Sequence, residues 1–164
     1  MIIRLSKKLT LKIKQNDLPV LSPDPNPFLD WHAHVFICNR TQYIMVTNTL
    51  SLFSVFMFGA GITHGNKFIE QMGEMLKVIL HNIGANLIYQ RIIIPNMKNA
   101  CFAKVCDKKI IGSMNDNIRL AKYVLEADGP HLENLAYRVN KNIHSVTGYE
   151  DVTKMFLGMK VDGE

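Results

Sequence analysis

No Cys-x-x-Cys pair occurs in this chain, and its three cysteines, Cys38, Cys101 and Cys106, are an odd number. That excludes a closed disulfide framework and points to free thiols in a reducing compartment, so a cytoplasmic protein is expected. The opening residues scatter charges through positions 4–14 with no continuous apolar run, unlike a secretory leader. Several catalytic and cofactor signatures are missing as well: the nucleophile elbow Gly-x-Ser-x-Gly, the phosphate loop Gly-x-x-x-x-Gly-Lys, a dinucleotide fingerprint and His-Glu-x-x-His. Without a complete catalytic constellation the reading leans away from an enzyme, and no cofactor is expected.

Acidic residues are absent before Asp17, whereas Arg4, Lys7, Lys8, Lys12 and Lys14 precede it. These five cations account for the whole net charge of +5, because the rest of the chain is formally neutral. The basic character is therefore local. Such a segment attracts phosphate or another anionic partner, although a solvated charged face is the plainer explanation. Formal charge is missing again from residue 41 to residue 66, a length that would span a bilayer. Thr47-Asn48-Thr49 splits this stretch into two apolar runs of strand length, so two buried strands are favoured over a membrane helix.

With 164 residues, 48% hydrophobic and 20% charged, the chain is long enough for one domain over 1–164 with a core that needs no metal or disulfide staple. The nine methionines are scattered and read as core filler. A short strand at 2–5 precedes a segment in which Leu5, Leu9 and Ile13 recur at helical spacing behind Ser6, with a strand as the alternative. Four of the six prolines fall within 18–27 and dictate an irregular connection. Strands are expected at 31–38, 42–47 and 51–58, with a turn at Asn39-Arg40-Thr41. The clearest helix carries the stripe Phe68, Ile69, Met72, Met75, Leu76, Ile79, Leu80 and Ile83 and stops at Gly84. Residues 87–94, with three consecutive isoleucines before Pro95, tilt towards strand.

Residues 100–106 and 109–111 read as further strand pieces. Ser113 or Asn115 then caps a helix bearing Ile118, Ala121, Val124 and Leu125, which ends at Gly129. Pro130 opens another helix, with Leu132, Leu135, Ala136, Val139 and Ile143 on its buried face. Strands early and helices late make an α+β fold, a largely antiparallel sheet with helices packed on it.

The most informative stretch is 26–40, Asn-Pro-Phe-Leu-Asp-Trp-His-Ala-His-Val-Phe-Ile-Cys-Asn-Arg. In a strand, Leu29, Trp31, Ala33, Val35 and Ile37 share one face, expected in the core, and Asp30, His32 and His34 share the other. Two imidazoles and a carboxylate at i, i+2 and i+4 can hold a divalent metal with open positions. No fourth ligand is evident, so no metal is favoured. The simpler account makes them a half-exposed polar face, with Asp30 paired to a nearby cation or capping the turn.

Gly112-Ser113-Met114-Asn115-Asp116 is the second pattern. Placed between strand and helix, its side chains suit capping, and a helix start there also receives anions. Cys106 lies between Lys104 and Lys108, which could depress its thiol, yet one core and one edge cysteine among Cys101 and Cys106 is the plainer outcome.

The opening Ile-Arg-Leu-Ser-Lys-Lys-Leu, the Leu-Asp-Trp-His-Ala-His segment, Asn39-Arg40 before an apolar strand ending in Thr47-Asn48, and Gly112–Asp116 before a helix together resemble a bacterial domain family of unknown function. The likeness runs over nearly the whole chain, to Ser-Val-Thr-Gly-Tyr at 145–149. It implies no established activity, substrate or cofactor. Family members tend to carry Tyr and Asn where this chain has His32 and His34, which weakens a shared metal triad. The resemblance thus directs attention to Asp30, Trp31, Arg40, Ser113, Asn115 and Asp116, beside Lys7, Lys8, Lys12 and Lys14.

The function that fits these observations is a non-enzymatic binding module engaging an anionic partner, nucleic acid or an acidic protein, with no membrane involved. The alternatives are a small metal-dependent hydrolase or nuclease built on Asp30, His32 and His34, with Arg40 stabilising charge, and an accessory factor acting through protein–protein contact.

Overall fold

A five-stranded sheet in the order β4-β3-β2-β1-β5 organises the protein, whose computed structural model describes residues 1–105 and 107–161. The strands are β1 (Ile2–Leu5), β2 (Asp30–Cys38), β3 (Thr41–Asn48), β4 (Ser54–Phe58) and β5 (Cys101–Lys104). β2, β3 and β4 form an antiparallel meander, while β1 runs parallel to both β2 and β5. Helices supply the rest: α1 (Lys7–Lys12), α2 (Gly65–Asn82), α3 (Asn86–Ile88), α4 (Ile94–Met97), α5 (Lys108–Asp128), α6 (Leu132–Val139) and α7 (Val152–Gly158). The class is α+β, with the longest pairings antiparallel. Among the described residues no helix is long and apolar enough to cross a membrane, and the uncharged stretch 41–66 divides into β3 and β4.

Register decides which side chains share a face, because directly paired residues point the same way. Ile3, Trp31 and Phe102 occupy one row, and Phe68 of α2 meets the Phe102 ring edge-on at 6.0 Å. Cys38 belongs to the opposite face with His32 and His34, and its Sγ reaches the Lys122 carbonyl of α5 at 3.8 Å. α2 and α5 thus cover opposite faces of the sheet. Trp31 is fully buried, donates from Nε1 to the Phe28 carbonyl at 2.8 Å and packs on Phe156, which also stacks on Phe53. At the free edge of β4, the Asn140 amide accepts from Ser54 N–H at 2.7 Å and donates to Ser54 O at 2.9 Å. It pairs the edge as a neighbouring strand would.

Several elements follow local chemistry closely. Ser6 caps α1 by accepting from Leu9 N–H, and Leu9 and Ile13 are buried, so the helical reading of that segment holds over the strand alternative. α2 ends at Ile83 with Gly84 beyond it at φ +76°, the left-handed conformation that glycine adopts without a Cβ clash. Asn39 and Arg40, at φ +47° and +64°, form the two-residue turn between β2 and β3. Both positive φ values suit the right-handed twist of the flanking strands.

Other expectations give way. Residues 87–94 are helical: α3 passes into a π-helical stretch, Tyr89–Ile93, and then into α4 with Pro95 in its first turn. Pro95 has no N–H to donate, and the wider turn lies immediately ahead of it. Only Ile93 of the three isoleucines is buried, while Ile94 is exposed. Residues 109–111 belong to α5, whose cap is Asp107, accepting from Lys109 and Ile110 N–H. Ser113 and Asn115 therefore lie inside the helix and do not cap it. The strand expected from 51 begins at Ser54, because Asn48 and Ser51 hold 48–53 in a turn. Ile37 is exposed near the hairpin tip, and Ile143 lies beyond α6 and is exposed. Cys101 is exposed, while the expectation for Cys106 falls outside the described residues.

Candidate functional site

The polar face of β2 is covered. Arg4, His32, Thr47 and Ser54 form one row across four strands, and all four are buried. Burying an arginine and an imidazole in a sheet centre is costly unless their polar atoms are matched. Arg4 meets Asp30 side-on through two bonds, Nε to Oδ1 at 2.9 Å and Nη2 to Oδ2 at 2.8 Å. It also donates to the carbonyls of Leu21 and Ser22, which ties the proline-rich connection against the sheet. The Asp24 N–H and the Thr49 hydroxyl complete the set around Asp30, at 2.9 and 2.7 Å.

Thr49 fixes the state of His32. Its single hydroxyl proton goes to Asp30, so Thr49 Oγ1 must accept from His32 Nδ1–H at 3.0 Å. Nε2 then carries the lone pair, and it is buried without a hydrogen-bond partner among the described residues. Burial, opposed by Asp30 and reinforced by Arg4, lowers the His32 pKa to about 4, so the ring is neutral at physiological pH. For Asp30, burial works to raise the carboxyl, but the Arg4, Asp24 and Thr49 contacts outweigh it and hold the pKa below its usual value. Together these bonds form a continuous chain, Arg4–Asp30–Thr49–His32.

His34, two residues on, stands apart from that chain. It is half-buried, and burial together with the nearby Lys8 charge lowers its pKa. It lines a cleft of about 180 Å³ with Ser6, Lys7, Val105, Met114 and Asn115. Lys7 and Val105 also line a second, shallower cleft of about 360 Å³, together with Thr10, Asp17, Leu18 and Lys104. Both openings lie where β1 and β5 end and α1 begins, and the smaller one also meets α5. The C-terminal ends of parallel strands are a common place for ligands in α/β sheets.

The residues singled out in the sequence therefore separate. Asp30 joins His32 but not His34, and its oxygens are engaged by Arg4, Asp24 and Thr49. Among the described residues no group of three or more His, Cys, Asp or Glu side chains is placed to share a metal ion. Trp31 is a core residue, and Arg40 is an exposed turn residue. Of Gly112–Asp116, Met114 and Asn115 reach the smaller cleft, Ser113 is buried, and Asp116 pairs with Arg119 on the exposed side of α5. Lys7, Lys8 and Lys14 are exposed and Lys12 is half-exposed. None of the four takes part in an ion pair among the described residues. Arg4, counted with them in the sequence, is instead committed to Asp30.

Sequence reasoning missed Thr49, because a threonine beside a strand end is unremarkable until the hairpin returns it to Asp30. Lys104 was likewise hidden, since only the parallel pairing of β1 with β5 brings it to the cleft that Lys7 lines.

No curated protein and no solved structure matches the chain. A family model does match, over residues 2–154, and the chain belongs to that family, described as a domain of unknown function (DUF6933).

Proposed function

We propose that the protein is a non-enzymatic binding module that engages an anionic partner through Lys7, Lys8, Lys12 and Lys14, with Lys104 at the cleft that Lys7 lines. The observation that carries this reading is the contrast in pairing: Arg4 is matched to a buried carboxylate, while these lysines form no ion pair among the described residues, Asp17 at the cleft of Lys7 and Lys104 included. Surface cations grouped on one short helix, Lys7, Lys8 and Lys12, with Lys14 just beyond its end, give a field that attracts phosphates and carboxylates. Leu9 and Ile13 anchor that helix in the core, so the lysines are held on a fixed support. Nucleic acid is the first partner to test, and an acidic protein the second.

The test is a titration of labelled duplex DNA, single-stranded RNA and poly-glutamate at low ionic strength. Saturable binding of one of them, weakened by added salt, is the expected result. Failure of all three to bind would overturn the proposal and leave the lysines as a solvated face.

A further inference from the structure

Another cleft lies far along the chain from the basic segment, and none of the candidate site residues singled out in the sequence contributes to it. Its volume is about 550 Å³, within the range of pockets that hold small organic molecules. Its apolar lining includes Ile83, half-buried at the C-terminal cap of α2, and the buried Phe53 and Ile79. Tyr137 of α6 adds an aromatic ring that is 58% exposed, and Lys141 Nζ stands 4.1 Å from its centroid. Lys154 lies at the same cleft, in the first turn of α7.

Charges of both signs line this opening. Two carboxylates line it, and both already accept hydrogen bonds: Glu133 Oε2 from Asn82 at 2.9 Å, and Asp151 Oδ1 from the Lys154 backbone N–H at 2.9 Å. Neither Lys141 nor Lys154 forms an ion pair among the described residues. The cleft thus offers apolar surface, one aromatic ring and two lysines that neither Glu133 nor Asp151 engages in an ion pair. Asn140 is not available to a ligand, since both ends of its amide are spent on Ser54.

We infer that this cleft is a binding site for a small amphipathic anion, a molecule with a flat apolar body and one carboxylate or sulfonate group. The body lies against Ile83 and Tyr137, excluding water from apolar surface, and the anionic group reaches Lys141 and Lys154. This site is separate from the lysines of α1, so either proposal can fail without the other.

Two dyes with the same anilinonaphthalene body test it. 1-Anilinonaphthalene-8-sulfonate carries the anion, and N-phenyl-1-naphthylamine lacks it. Saturable 1:1 binding of the sulfonate is expected, with the neutral dye weaker. Lys141→Met with Lys154→Met should weaken the sulfonate by about tenfold and weaken the neutral dye far less, since the neutral dye has no anionic group to lose a charge-assisted contact. Ile83→Trp, which fills the cleft, should abolish binding of both. If that variant does not fold, Tyr137→Ala, at an exposed position, should weaken both dyes. Absence of saturable binding, equal affinity for the two dyes, or indifference to both the lysine and the wall substitutions would each overturn the inference.

Discussion

The two ends of the segment from β1 into α1 treat positive charge in opposite ways. Arg4 is enclosed, bonded to Asp30 through two nitrogens and to two backbone carbonyls, and its partners reach on through Thr49 to His32. Three residues later Lys7 opens onto two clefts, and Lys8, Lys12 and Lys14 follow it outward. Residues that look alike as a run of cations thus do different jobs. The arginine closes the fold over a buried carboxylate, because its planar fork can satisfy both oxygens at once. The lysines leave charge outside for something else to meet.

That division can be broken from either side. The largest effects should come from the enclosed part. Arg4→Met leaves the Asp30 charge buried and unpaired, and should cost about 3–5 kcal/mol in a urea unfolding series. Adding Asp30→Leu to that variant should recover part of the loss, and no recovery would mean that the pair is not the source of the cost. Trp31→Ala, which empties a fully buried core position, should cost a similar amount, about 3–5 kcal/mol. A near-zero change for Trp31 would contradict its placement against Phe156.

Acid should expose the same network. His32 titrates near 6.5 when unfolded and at about 4 when folded, so the unfolded chain takes up the proton first. Its contribution to stability is complete above pH 6.5, declines as pH falls from there towards 4, and amounts to about 3 kcal/mol. Asp30, with its pKa depressed, adds a further loss as pH falls below its ordinary value of 3.8. Measuring unfolding free energy against pH for His32→Gln should therefore give a flatter curve between pH 6.5 and 4. His34 and His144 are lowered too, so some slope should remain. An unchanged curve would show that His32 is not the neutral buried ring described.

The smaller effects belong to the surface. Arg40 holds φ +64° in the hairpin turn, and Arg40→Gly should stabilise by about 1 kcal/mol by relieving the left-handed strain, as read from thermal unfolding. A gain there would mark Arg40 as a turn residue placed against local preference.

Much of the sheet was legible because alternation along 29–36 and the turn residues at 39–40 are local signals. Trp31 and Leu29 followed from period alone. Ile37 did not, because alternation assigns a face but says nothing of where the covering elements stop. The three isoleucines at 92–94 and the pair at 110–111 suggested strands through their branched side chains, a preference that packing readily overrides. Asp107 carried the signal for the start of α5, but lay among residues taken for strand. On the functional side, the basic segment was visible as composition, whereas Arg4's separate role depended on Asp30, 26 residues away, and on β1 pairing in parallel with β2. Likewise the cleft at Lys141 and Lys154 draws on Phe53 ahead of β4 and on α2, α6 and α7 together, and no stretch of sequence announces it.

One paired experiment tests the division most directly. Lys7, Lys8, Lys12 and Lys14 are replaced together by glutamine, and both duplex-DNA affinity across a salt series and unfolding free energy are measured on the variant and the native chain. The account predicts stability within about 0.5 kcal/mol of native, as for surface positions without paired contacts. It also predicts a log–log salt slope reduced by about 0.9 for each lysine that contacts a phosphate. A stability loss as large as that of Arg4→Met, or a native slope unaltered by the four substitutions, would contradict it.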